Sequence, residues 1–137
     1  MATRQKPTFD ERVAEYVDSP LVTCRVLYGK KVAARIADNY GVYRTFVSRV
    51  SKTVTGGCSC PSEIIPCKHV YALRATWDAN ADSFFDLDGW LEGLAKQSKA
   101  ELIESIGKMV VESPELLSLF GVEGFEVDEE SEEPYYD

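Results

Sequence analysis

Long apolar runs are missing from these 137 residues, and none is long enough to span a bilayer. No apolar stretch follows Met1-Ala2-Thr3-Arg4-Gln5-Lys6, so no secretory signal is expected. The chain is expected to be intracellular: cytoplasmic, or nuclear in a eukaryote. In those compartments thiols stay reduced, so clustered cysteines read as metal ligands and not as disulfides. No internal repeat is present. Histidine is nearly absent, with His69 as the single copy. Lysine and arginine are missing from residues 122–137, and acids are scarce between residues 22 and 74.

Those two scarcities divide the chain. The net charge is -8, yet residues 22–74 hold nine bases against two acids, a formal +7. Residues 77–121 hold three bases and nine acids, a formal -6. Residues 122–137 add eight acids and no base, a composition expected to stay disordered.

Hydrophobic periodicity gives the expected elements. Phe9, Val13, Tyr16 and Val17 share one helical face before Ser19-Pro20. Val22, Cys24 and Val26 alternate with polar residues, which predicts a strand with Cys24 on its buried side. Tyr28-Gly29-Lys30-Lys31 and Asp38-Asn39-Tyr40-Gly41 predict turns, with strands from Val32 and from Val42. Beyond Gly56-Gly57 the period changes. Val70, Leu73 and Trp77 mark a helix, and Asp86 to Ala95 predicts a second, presenting Trp90, Leu91 and Leu94. Ser98-x-x-Glu101 predicts a capping box, and Ser113-Pro114 a last short helix closed by Gly121. The chain therefore reads as an α+β protein, a small antiparallel β-meander followed by a bundle of short helices and the acidic tail. The expected segments are 1–19, 20–78, 79–121 and 122–137.

Between meander and helices lie Cys58-Ser59-Cys60, six further residues, then Cys67-Lys68-His69. Three thiolates and an imidazole are the donor set of a closed tetrahedral zinc site. Ligands at i and i+2 share a face on extended backbone, so Cys58 and Cys60 converge directly. On a helix they would lie about 200° apart, so Cys67 and His69 cannot both sit inside one and face one ion. Cys67 is therefore expected at the helix start and His69 in its first turn. Pro66, which disfavours helical backbone at Ile65, agrees. Four protein ligands leave no open position for water or substrate, which points to one structural Zn2+ and away from hydrolysis. A Cys67/His69 nucleophile pair lacks an evident orienting group, and a redox dithiol usually takes the form Cys-x-x-Cys. No catalytic residue and no small-molecule substrate are expected.

Cys-x-Cys, a spacer, then Cys-x-His resembles the SWIM zinc finger. Arg44-Thr45-Phe46-Val47, Gly57-Cys58-Ser59-Cys60-Pro61 and Pro66-Cys67-Lys68-His69-Val70-Tyr71-Ala72-Leu73 carry the resemblance, which covers residues 20–78. It implies a ββα zinc core, and partners that are DNA or proteins. SWIM modules occur in transposases, helicase-like ATPases, ubiquitin ligases and accessory proteins of RecA-type recombinases. The expectation is an accessory module that binds DNA, single- or double-stranded, or a recombinase or other DNA-processing protein. The basic region supplies Lys30, Lys31, Arg44, Lys52, Lys68 and Arg74 as candidate phosphate contacts. A protein–protein adaptor using the acidic helices and tail is the other expectation.

Overall fold

In a computed structural model, residues 5–126 are described. They form five strands and four α-helices: α1 Phe9–Ala14, β1 Val22–Tyr28, β2 Lys31–Asp38, β3 Gly41–Ser48, β4 Gly56–Cys58, α2 Lys68–Ala79, β5 Phe85–Asp86, α3 Leu87–Leu94 and α4 Lys99–Glu112. Short 3-10 turns lie at Ala81–Ser83 and Pro114–Phe120. The α+β class expected from the periodicity holds. Two compact units divide near Asp88 and Gly89. The acidic tail expected over 122–137 lies mostly outside the described residues.

The first unit is a sheet with one covered face. Strand order is β4-β3-β2-β1-β5, antiparallel except for β5, which runs parallel to β1. The β1–β2 and β2–β3 turns are tight, and Gly29 takes the left-handed backbone (φ 59°) that the first requires. Along β2 and β3, Val32, Ala34, Ile36, Tyr43, Thr45 and Val47 alternate inward and are buried. Helix α2 lies across them, burying Val70, Ala72, Leu73 and Thr76. Helix α1 packs on α2, with Phe9 edge-on to Tyr71 at 5.6 Å. Arg25 ties the perimeter together. Its guanidinium donates to the carbonyls of Val22 and Ser19 and to Asp18 Oδ1, the last at 2.7 Å. That hydrogen bond, and a second from Asn80, hold the Asp18 carboxyl below its usual range.

Three local expectations change. Cys24 is exposed, with φ 53°, because a bulge interrupts β1–β2 pairing between Thr23 and Val26 and breaks the alternation that would have turned it inward. The helix expected from Asp86 starts at Leu87, because Phe85 and Asp86 pair with Val26 and Leu27 as an edge strand. The segment from Ser113 is a 3-10 helix, closed as expected by Gly121 in left-handed backbone.

In the second unit, Ser98 Oγ accepts from the Glu101 N–H while the Glu101 side chain accepts from the Ser98 N–H, completing the capping box of α4. The 114–120 turn packs back on α4. No helix among the described residues is long and apolar enough to cross a membrane.

Candidate metal centre

The four ligand-type residues come from three pieces of backbone. Cys58 ends β4, directly across from Thr45 on β3. The knuckle after it is stitched to β3: Ser59 N–H donates to Arg44 O at 3.0 Å, and Arg44 N–H donates to Ser59 Oγ at 2.9 Å. Cys60 therefore turns back beside Cys58. Cys67 is the N-cap of α2, on extended backbone (φ -79°, ψ 172°), and His69 lies in the first turn, as the spacing required. Gly56 and Gly57 matter here through close approach. A Cβ on Gly56 would collide with Phe46 O and come within 2.8 Å of Val47 Cα, and one on Gly57 would meet the Phe46 ring at 2.8 Å.

The donor atoms of Cys58, Cys60, Cys67 and His69 all lie within 4.8 Å of one another. In a zinc tetrahedron with Zn–S of about 2.3 Å and Zn–N of about 2.0–2.1 Å, sulfur and nitrogen stand roughly 3.6 Å apart. His69 Nδ1 is 3.6 Å from Cys58 Sγ and 3.9 Å from Cys67 Sγ. The cluster is compatible with a zinc site. Cys67 and His69 are buried and the other two half-buried, so a bound ion would sit at the edge of the core.

The surroundings suit a metal bound through Nδ1. His69 is held between Tyr16, edge-on at 5.3 Å, and Tyr43, tilted at 5.4 Å. Its Nε2 is buried and faces Asp38 Oδ2 at 3.4 Å, without the alignment of a regular hydrogen bond. A metal on Nδ1 places the proton on Nε2, pointing at that carboxylate, the usual outer partner of a ligating histidine. Asp38 Oδ1 accepts from the N–H groups of Tyr40 and Gly41, which fixes the carboxylate. Thr45 Oγ1 lies 3.2 Å from Cys58 Sγ and can donate to a thiolate there.

Without a metal, the three thiols share their protons unequally. Hydrogen bonding from Cys58 first, with help from His69 and the Val70 N–H, holds Cys67 down to about 3. Cys58 is pushed up because its proton is held by Cys67, and burial adds to this. Burial pushes Cys60 up. The Cys67 thiolate at a helix N-terminus is also favoured by the helix dipole.

Asp38 and Thr45 escape a reading of the sequence alone. Asp38 reads there as the first residue of a turn. Thr45 carries a fainter signal, since the β3 alternation turns this polar residue into the apolar face.

The candidate phosphate contacts are spread out. Lys30, Lys31, Arg44 and Lys52 are exposed. Lys31 Nζ lies 5.7 Å from the centroid of the Phe46 ring, and Lys68 Nζ lies 5.5 Å from that of Tyr16. Arg74 donates to the carbonyls of Ser48 and Ser51 at 3.0 and 2.7 Å, bracing the loop after β3 against α2. Arg49 likewise donates to Gly29 O and lies over the Trp77 ring. Comparison of the chain with family models, curated proteins and solved structures finds no match.

Proposed function

We propose that this chain is a zinc-organised accessory module of the SWIM type that binds nucleic acid in the service of a DNA-processing protein such as a recombinase. The observation that carries the reading is the convergence of Cys58, Cys60, Cys67 and His69 at the start of α2, which leaves a tetrahedral ion no free position. The ion is then structural: it fastens β4 and α2 to one point, and its binding energy is folding energy. The module binds and does not catalyse. The nucleic-acid part is supported by charge. Of the nine bases in residues 22–74, Arg25, Arg49 and Arg74 are taken up by internal contacts and Lys68 lies half-buried over Tyr16, which leaves five exposed against two acids. Asp38, one of the two, is turned toward His69.

Two measurements test this. Metal analysis of the purified chain should give one zinc per molecule, lost on replacing Cys67 with serine. Fluorescence anisotropy with labelled oligonucleotides should show binding that weakens steeply with salt. Absence of any binding at low salt sinks the nucleic-acid reading, whatever the metal content. A protein partner is the second reading. It is favoured by Ile103, Ile106 and Met109, which stand exposed along α4 at intervals of three.

A further inference from the structure

The face of the sheet opposite α2 bears a pattern that the zinc site does not use. The strand registers bring Gly57, Phe46, Ala33, Val26 and Phe85 into one row across all five strands. This row is apolar throughout, and Phe46 and Phe85 are 48% and 53% exposed. On one side of it, Arg44 and Arg35 stand directly opposite each other, with Thr23 next in line. On the other side Ser48, Lys31 and Tyr28 form the parallel row, and Tyr28 is 49% exposed. An open hollow of about 500 Å3 lies at this end, lined by Tyr28, Lys31, Phe46 and Ser48 among others.

Two features of this face call for a ligand. Like charges directly opposite on neighbouring strands destabilise a sheet. Arg35 and Arg44 are such a pair, and among the described residues neither has an ion-pair partner. The paired strand positions of the face contain no acid, in a chain whose net charge is -8. An apolar aromatic row bordered by cations on both sides matches a chain of bases bordered by phosphates.

We propose that this open sheet face is a platform for single-stranded DNA, with bases stacked on Phe46 and the neighbouring row and phosphates met by Arg35, Arg44 and Lys31. The proposal rests on the nucleic-acid reading above and assigns its surface. A duplex hides its base faces and would leave the apolar row unused. Sheets that stack bases on exposed aromatics are an established way of holding unpaired strands. The apolar row itself carries no side-chain donor or acceptor for a 2′-hydroxyl, the hydroxyls of Thr23, Ser48 and Tyr28 standing in the flanking rows, and single-stranded DNA is the occupant to which the proposal commits.

The test uses the full zinc-loaded chain and a labelled mixed-sequence single-stranded DNA oligonucleotide. Phe46→Leu should weaken binding about tenfold. The double variant R35Q/R44Q should weaken it at low salt and lower the slope of log affinity against log salt by about 1.4, roughly 0.7 for each phosphate no longer neutralised. Both variants should keep their zinc, and the double variant should melt no lower than the parent, because it removes a repulsive pair. Removing two cations elsewhere, K99Q/K108Q, should leave the slope unchanged. Binding by the parent chain with no loss in any face variant would overturn the assignment while leaving the nucleic-acid reading intact. No binding by the parent chain would overturn both. Stronger binding to duplex DNA or to RNA of the same sequence would overturn the choice of occupant. So would a parent chain that sediments as a dimer and becomes a monomer on Phe46→Leu.

Discussion

Asp38 shows how much one side chain can carry. Its Oδ1 accepts from the Tyr40 and Gly41 N–H groups and shapes the β2–β3 turn, while its Oδ2 faces His69 Nε2 at 3.4 Å. Asparagine would keep an acceptor for the turn and place an amide where the carboxylate meets the imidazole. Asp38→Asn is therefore expected to weaken zinc binding roughly 10–100-fold and, because the metal's binding energy is folding energy, to lower the melt of the metal-loaded protein with it. Competition against a chromophoric chelator reads this directly, and an affinity equal to that of the parent would show that the carboxylate does not support His69. Thr45, 3.2 Å from the Cys58 sulfur, supports the site from the sheet. Both are polar groups committed to the site through contacts that only the fold brings together.

At the scale of elements, glycines separate what the packing requires from what it tolerates. Gly56 runs so close to β3 that a Cβ would strike Phe46 O and crowd Val47 Cα. Gly56→Ala must push β4, and Cys58 with it, away from the sheet. The expected cost is about 1–3 kcal/mol, accompanied by weaker zinc binding. Gly107, within α4, has open space where a Cβ would stand, and a glycine inside a helix is conformationally expensive. Gly107→Ala should raise helical stability by about 0.5–1 kcal/mol with no change in zinc affinity. Circular dichroism melts of the two variants should move in opposite directions, and parallel shifts would refute the contrast. The same elements show what the sequence reveals. Turns at Gly29-Lys30 and Asn39-Tyr40, the capping box at Ser98 and the ligand placement at Cys67 and His69 all follow from local chemistry, and the sequence displays them. The bulge that exposes Cys24, the edge strand at Phe85–Asp86 and the outer partners Asp38 and Thr45 follow from pairing between distant segments, which no local pattern records. The open face belongs to both classes. Its alternation is local, but the row joining Phe46 to Val26 and Phe85 needs the strand order.

For the whole molecule, metal and fold are linked through protons. Without the metal, the hydrogen bond between Cys58 and Cys67 holds Cys67 down and pushes Cys58 up, so the pair shares one proton, while burial pushes Cys60 up and keeps its proton on. A zinc ion needs all three as thiolates, so loading near neutral pH should release two protons, one shared by the Cys58/Cys67 pair and one from Cys60. The sign follows. Because the groups that must lose protons have raised values, zinc affinity rises with pH, by about two decades per pH unit around neutrality. Stability contributed by the metal is correspondingly present at neutral and alkaline pH and is lost as the solution is acidified. Titration calorimetry in buffers of different ionisation enthalpy measures the released protons. Release of three would mean that Cys58 and Cys67 each hold a proton beforehand, and release of none would mean that the cluster does not take the ion through its thiols. The loss of metal should also be uneven across the chain. The ligands all lie in the first unit, where they join β4 to α2, while α4 of the second unit carries its own capping box. A chelator should therefore speed amide exchange in β3, β4 and α2 while leaving that of α4 unchanged. Uniform loss of protection in both units would show that the zinc holds together the whole molecule and not only the sheet unit that contains it.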